Sequence, residues 1–186
     1  KADKKMLEIL KPDRLIVAVG SASANLHIKG AEKMMDSLTA IESKAKVGHK
    51  AVIIGGGSIG CELGLELSLE GHDVIIVEMA DDIALNGNML YRIALKQHMD
   101  KQDNLHVVTQ ACCKEIEEDH VIVEINGKEE KIGFDTIINA AGRKALKEEA
   151  MSLYGVCKDT VMVGDCERVG SVIDAVNIAY FVGKSL

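Results

Sequence analysis

Apolar residues occur along the chain in short runs cut by glycine. Residues 14–19, RLIVAV, form a nearly continuous run ending at Gly20 and Ser21, which predicts a buried strand closing on a turn. A second run, AVII at 51–54, leads straight into Gly55, Gly56 and Gly57, and a Leu- and Glu-rich segment follows. There Ile59, Cys61, Leu63, Leu65, Leu67 and Leu69 recur at every second position, as in a strand. The segment is long for a strand, lacks β-branched residues after Ile59 and is rich in helix formers, so a helix over 58–70 is predicted, stopped by Gly71. Gly60 and Gly64 give that helix a flat stripe for close contact with a sheet.

Strand 73–77 and Glu78 come next, then a loop over 79–87 and a helix over 88–100, with Leu90, Ile93 and Ala94, and Gln97 as a further candidate, on one face. Strand 105–109 completes a β-α-β-α-β order, which implies parallel strands with right-handed crossovers. From Lys114 to Ile132 the runs become short and alternating. Val121, Val123 and Ile125 share one face, and Asn126-Gly127 is a two-residue hairpin signal, so an antiparallel meander of about three strands is expected. Phe134 and DTIINA at 135–140 return to a buried strand.

Upstream, residues 4–10 suit a short amphipathic helix stopped near Pro12. Residues 21–48 are less periodic and read as a connection between lobes, helical in part over 31–46. Downstream come a charged helical stretch to Leu153, a strand over 160–163, the turn Gly164-Asp165-Cys166 and a helix over 171–184. The expected fold class is α/β, a Rossmann-like parallel sheet with an antiparallel β-meander.

Composition narrows the function. The 186 residues suffice for one or two domains, and with 3% aromatics and no Trp the core must be aliphatic. A formal charge of −7 without a basic stripe argues against nucleic acid, and the basic residues within 1–5 read as a solvated end. No apolar run is long enough to span a membrane and no leader is evident, so a cytoplasmic protein is expected. The cysteines at 61, 112, 113, 157 and 166 form no C-x-x-C pair and read as reduced thiols, with a strained Cys112–Cys113 disulfide disfavoured. The histidines at 27, 49, 72, 98, 106 and 120 show no metal-ligand spacing. With no nucleophile–base constellation either, the chain reads as a binder of a redox cofactor, which itself carries the chemistry.

Gly55, Gly57 and Gly60 hold the fixed places of G-x-G-x-x-G between a strand and a helix. Gly55 would make the sharp turn, Gly57 would let the backbone approach a pyrophosphate, and Gly60 would let helix and strand pack closely. The helix start offers unpaired amides to the phosphates. Tight packing alone would also explain a glycine-rich turn. Glu78 strengthens the nucleotide reading, because it ends the second strand 18 residues beyond Gly60, where a carboxylate can accept from ribose hydroxyls. Met79, Ala80, Asp81 and Asp82 supply no arginine for a 2′-phosphate, which favours NAD(H) over NADP(H). Glu62, expected in the first helical turn, suits either the helix dipole or the nicotinamide end of the cofactor. Asp165 follows a strand and a glycine, at the carboxyl edge of a sheet; it suits a sugar hydroxyl, a helix N-cap or a turn.

Four pieces stand in one order: LIVAVGS at 15–21, VIIGGGSIGCE at 52–62, IINAAGR at 137–143 and VMVGDC at 161–166. That set resembles the pyridine nucleotide–disulfide oxidoreductase type of flavoprotein over nearly the whole chain. Within it, the lead-in KAKVGHKAVIIGGGSIGCE, the short tail after GDC and the last helix SVIDAVNIAYFVGK are similar to the C-terminal half of the 2,4-dienoyl-CoA reductase and enoate reductase family. Those enzymes join an FMN barrel of the old yellow enzyme type, a 4Fe-4S cluster and an FAD/NAD module.

The resemblance implies that Gly55, Gly57, Ser58, Ile59, Gly60 and Glu78 bind NADH, with Glu62 and Gly142 close by. It implies that Ala18, Val19, Gly20, Gly164, Asp165 and Val172 touch FAD, Asp165 through the ribityl chain. Val19 departs from the threonine usual in that family's motif, which weakens a polar contact there. The family's other glycine turn, for FAD, is missing from the sequence, as are the barrel and the cysteine cluster. A portion of a longer enzyme is therefore expected, with an NAD(H) domain over 47–142 and FAD-domain remnants at 1–46 and 143–186. Such a portion would hold half an FAD site and reduce no alkene alone. Its partners would be NADH and the FMN-barrel and FAD portions of a parent enzyme, itself open to homo-oligomerisation. The rival expectations are a fragment of an NADH oxidase or dihydrolipoamide-type reductase, and a non-catalytic NADH-binding regulatory module.

Overall fold

The structure is a computed structural model that describes residues 3–185, so the first two residues of the N-terminal basic run lie outside the described residues. In chain order the elements begin with α1 (Lys4–Leu10), β1 (Arg14–Val17), β2 (Ser21–Ser23), β3 (Met35–Asp36), α2 (Ser37–Glu42) and β4 (Lys50–Ile54). They continue with α3 (Ser58–Leu69), β5 (Asp73–Val77), α4 (Met89–Met99), β6 (Leu105–Val108), β7 (Ala111–Ile116) and β8 (His120–Ile125). The last are β9 (Lys128–Gly133), β10 (Thr136–Asn139), β11 (Arg143–Ala145), α5 (Lys147–Ser152), β12 (Asp159–Met162) and α6 (Val172–Lys184). The chain divides into two compact units, Lys1–Ala22 with Arg143–Leu186, and Ser23–Gly142.

The Ser23–Gly142 unit is built on a five-stranded sheet in the order β3-β10-β4-β5-β6, parallel throughout. Its central strands β10, β4 and β5 carry unbroken apolar runs at 137–138, 51–54 and 74–77, because both faces are covered there. Ala51, Ile53, Val74, Ile76 and Ile138 pack under Leu63 and Leu67 of α3, Ala40 of α2, and Leu95 and Met99 of α4. The alternate residues Val52, Ile54, Val77 and Ile137 pack against Ala111, Ile116, Val121 and Val123 of the meander. That meander is the antiparallel sheet β7-β8-β9. Asn126 and Gly127, at φ 53° and 75°, both take the left-handed conformation of a type I′ turn between β8 and β9. The α/β class with parallel sheet and meander is thus as expected.

Helix α3 runs over the segment with two-residue alternation. Gly71, at φ 94°, ends it: its amide reaches the Ser68 carbonyl at 3.0 Å and the His72 amide reaches Leu67 at 3.1 Å, a Schellman closure. The face of helix α4 that carries Leu90, Ile93 and Ala94 points away from the sheet. Leu90 and Ile93 are 75% and 48% exposed and Ala94 and Gln97 are also exposed, while Leu95 and Met99 are buried and Tyr91 packs beside them. The helix carries two apolar stripes, each at helical spacing, and the one with the larger side chains, Tyr91, Leu95 and Met99, meets the sheet.

Residues 23–46, expected with the flanking pieces, cluster instead with the Ser23–Gly142 unit. The reason is that β3 pairs with β10, and that Ala40 and Val47 enter the helix-side core.

In the other unit, β1 pairs in parallel with β12, Arg14 opposite Asp159 through Val17 opposite Met162, and β2 pairs with β11. Val17, Ala150 and Cys166 form its core with Leu15, Val19, Leu153 and Met162 around them. The strand expected to be buried over 14–19 is shorter and half exposed. Its sheet has two strands, and Ile16 keeps 44% of its surface. Helix α6 starts in a capping box between Ser171 and Asp174. All five cysteines are free. Among the described residues, no helix is long and apolar enough to cross a membrane.

Candidate functional site

β4 delivers the chain to the glycine turn, where the three motif glycines have different neighbours. Gly55 adopts φ +109°, its amide donates to Val77 at 2.9 Å, and a Cβ there would lie 2.5 Å from the Ala140 carbonyl oxygen. A Cβ on Gly60 would lie 2.0 Å from the Gly55 carbonyl oxygen. Turn and helix start are therefore packed backbone to backbone. Gly57 has φ −69°, and a Cβ on it would meet nothing within 4 Å. Neither conformation nor packing inside the protein demands glycine there. The second glycine of a dinucleotide turn is likewise the one that leaves room for a pyrophosphate.

The first turn of α3 has no side-chain cap from Gly57. The Cys61 amide opens the helical ladder by donating to Gly57 at 3.0 Å. The Ser58 amide and hydroxyl both donate to Asn86 Oδ1, at 3.3 and 3.0 Å. The amides of Ile59 and Gly60 precede Cys61, the first intrahelical donor, and so have no acceptor within the helix.

Glu78 leaves the end of β5 and turns onto the glycine loop. Its Oε2 accepts the Gly56 amide at 2.6 Å and its Oε1 accepts the Ala80 amide at 2.7 Å. Each carboxylate oxygen keeps a second acceptor position. The acidic side chain is held beside the turn with capacity left for hydroxyl donors. These features fit a dinucleotide with an unphosphorylated ribose.

Glu62 stands one residue past the first helical turn, which corrects its expected place. The helix begins at Ser58, so Glu62 is its fifth residue and lies further from the positive end of the dipole. Its carboxylate accepts the Tyr91 hydroxyl at 2.6 Å. Burial, followed by the bond to Glu62, pushes the Tyr91 hydroxyl up to about 12. The Tyr91 ring also occupies the space a Gly87 side chain would need, with its Cδ1 2.5 Å from that Cβ position. Burial pushes the Cys61 thiol up to about 11, and its Sγ donates to the Gly56 carbonyl at 3.2 Å, so this cysteine is structural. Asn86 and Tyr91 were not expected at the site. The one sequence signal for them is the run Asn86-Gly87-Asn88, in which Asn88 caps α4 by accepting the Tyr91 amide at 3.0 Å. Gly142, at φ +116°, ends the unit, and its carbonyl accepts the Ala24 amide at 2.9 Å.

The residues expected at FAD lie in the other unit. Ala18, Val19 and Gly20 follow β1; Gly20 has φ +80° with nothing within 4 Å of its Cβ position, and Val19 packs on the small core. Gly164, at φ +69°, opens the short 3-10 turn that carries Asp165. Asp165 accepts the Ser21 hydroxyl at 2.9 Å and the Gly170 amide at 3.2 Å. Arg143 Nε donates to the same Ser21 hydroxyl at 2.8 Å, a link with no signal in the sequence. Val172 begins α6 and is 81% exposed.

Residues 1–161 match the family model of the pyridine nucleotide-disulphide oxidoreductases. Cinnamate reductase of Clostridium sporogenes is 28% identical over 187 residues, which cover 100% of this chain and 28% of that protein. NADH oxidase of Thermoanaerobacter brockii is 29% identical over 188 residues, covering 97% of this chain and 29% of that one. A solved structure of 2-naphthoyl-CoA reductase matches the fold with a TM-score of 0.94 at 24% identity, over 100% of this chain and 29% of its own. The chain thus spans 28–29% of the length of these relatives.

Proposed function

The chain belongs to the pyridine nucleotide-disulphide oxidoreductase family, and we propose that it is the NADH-binding part of a flavin-dependent oxidoreductase of the enoate and 2,4-dienoyl-CoA reductase kind. In this reading NADH supplies a hydride to FAD, and the full enzyme relays electrons through an iron–sulfur cluster and FMN to an activated carbon–carbon double bond. The residues of this chain bind and orient. Gly57 admits the pyrophosphate to the backbone, and the Ile59 and Gly60 amides hold it. Glu78 accepts from the adenosine ribose hydroxyls and repels a 2′-phosphate. Glu62, steadied by Tyr91, faces the nicotinamide end together with Gly142. Asp165, steadied by Ser21, holds the ribityl chain of FAD, with Ala18, Val19, Gly20, Gly164 and Val172 around it. The partners are the FMN-barrel and FAD portions of a parent enzyme.

The observation that carries the nucleotide reading is the bond of 2.6 Å from the Gly56 amide to the Glu78 carboxylate, next to a Gly57 whose surroundings are empty. The alkene-reductase assignment is supported by the similarity to cinnamate reductase along the whole chain. Comparing NADH and NADPH binding to the purified chain tests the first. For the second, the parent enzyme is assayed with NADH and an enoate or enoyl-CoA; consumption of NADH without reduction of the alkene would contradict it. That outcome is favoured by a second reading, a portion of an NADH oxidase, which the similarity to the Thermoanaerobacter protein supports.

A further inference from the structure

Asp82 lies on the loop that leaves β5 just beyond Glu78, and that loop closes onto the glycine turn. The Ala84 amide donates to the Gly56 carbonyl at 2.7 Å, and Ile83 Cγ2 lies 2.9 Å from where a Gly56 Cβ would sit. Asp82 Oδ1 accepts from the Ile83 amide at 2.8 Å and from Lys96 Nζ, and its Oδ2 accepts from Arg92 Nη2 at 2.6 Å. Arg92 and Lys96 are one helical turn apart on α4 and converge on this single carboxylate. Arg92 Nε is buried and has no partner among the described residues, so Asp82 satisfies only part of the guanidinium. The Lys96 contact, ahead of the Ile83 amide, holds the Asp82 carboxyl below the usual carboxylate range.

The loop itself supplies no cation, but folding brings Arg92 and Lys96 onto Asp82, four residues beyond Glu78. From these contacts we propose that Asp82 is a second determinant of nucleotide choice: by binding Arg92 and Lys96 it withholds them from a ribose 2′-phosphate. This rests on the NADH reading of the glycine turn. Glu78 acts against a 2′-phosphate by repulsion, whereas Asp82 acts by occupying the groups that would attract one. Arginine presents a planar fork of donors matched to phosphate, and lysine adds a point charge. With the Asp82 charge removed, both are free to turn toward the ribose.

The test uses equilibrium binding of NADH and NADPH, followed by nicotinamide fluorescence. The proteins are the wild-type chain, Asp82→Asn, and Asp82→Asn combined with Arg92→Gln and Lys96→Gln, each checked for folding by circular dichroism. 5′-AMP and 2′,5′-ADP, which differ only in the 2′-phosphate, serve as competing probes. The expected result is that Asp82→Asn raises the NADPH-to-NADH affinity ratio by about tenfold or more, the size of one new charge-assisted contact. The gain should appear equally with 2′,5′-ADP over 5′-AMP, shrink as salt rises, and vanish in the triple variant. A folded Asp82→Asn protein with an unchanged ratio overturns the proposal, as does a gain that survives loss of both cations. Asp82→Ser, which keeps an acceptor for the Ile83 amide, repeats the test should the amide variant not fold. If the wild-type chain binds neither nucleotide, the reading of the glycine turn fails and this proposal with it. If it binds NADH and the ratio stays put, only the role of Asp82 fails.

Discussion

The Glu78 carboxylate accepts the Gly56 amide at 2.6 Å, so the acidic end of one strand is tied to the glycine turn at the end of its neighbour. The pairing of β4 with β5, Ile54 opposite Val77, brings the two ends level. Glu78→Arg reverses the local charge and loses this bond. The expected outcome is a preference for NADH that narrows or inverts by about tenfold or more, measured as the ratio of dissociation constants. An unchanged ratio would place the ribose elsewhere.

Two alanine substitutions separate folding from binding at the turn. Gly60→Ala drives a Cβ into the Gly55 carbonyl, 2.0 Å away, and neither backbone has room to move. It should lower stability by about 3 kcal/mol or more in urea unfolding. Gly57→Ala meets nothing within 4 Å and keeps an ordinary φ, so it should cost no more than about 1 kcal/mol, the usual Gly-to-Ala difference at an N-cap, yet weaken NADH binding severely. Equal loss of stability in the two would contradict the separate roles given to them.

The two apolar stripes of α4 make unequal contributions. Leu95→Ala empties a site 7% exposed and should cost about 2–4 kcal/mol, whereas Leu90→Ala, at 75% exposed, should stay within about 0.5 kcal/mol. Denaturation midpoints of the two variants check this.

Helix α4 also marks where sequence pattern reached its limit. Leu90, Ile93 and Ala94 recur at helical spacing just as Tyr91, Leu95 and Met99 do, and nothing local says which stripe faces the sheet. In α3, by contrast, Gly60 and Gly64 named the face directly, because only that stripe lets the helix lie close over Gly55 and Ile76. The parallel strands, the Asn126-Gly127 turn, the cap at Gly71 and the family resemblance were legible for similar reasons, since each rests on residues close in sequence. Asn86, Tyr91, Arg92 and Lys96 were not, because they reach Ser58, Glu62 and Asp82 across a loop and a helix. Residues 23–46 were misplaced for the same reason, since β3 finds its partner in β10, a strand a hundred residues away.

The burial of Tyr91, with its bond to Glu62, should show itself at high pH. The Tyr91 hydroxyl ionises near 12 in the folded chain, above the ordinary tyrosine value of about 10. A raised value means that the native state holds the proton more tightly. The stabilisation is complete below about pH 10 and is lost as pH rises toward 12. Tyr91→Phe should be less stable than wild type at neutral pH and should close that gap across this window. A constant gap, read from urea unfolding at a series of pH values, would contradict the raised ionisation of Tyr91, which burial causes first and the bond to Glu62 second.

The most direct test of the nucleotide site is equilibrium titration of the purified 186-residue chain with NADH and with NADPH in the same buffer. The reading of Gly57 and Glu78 predicts saturable binding of NADH at least about tenfold tighter than of NADPH. Equal affinities, or no binding of either, would contradict it.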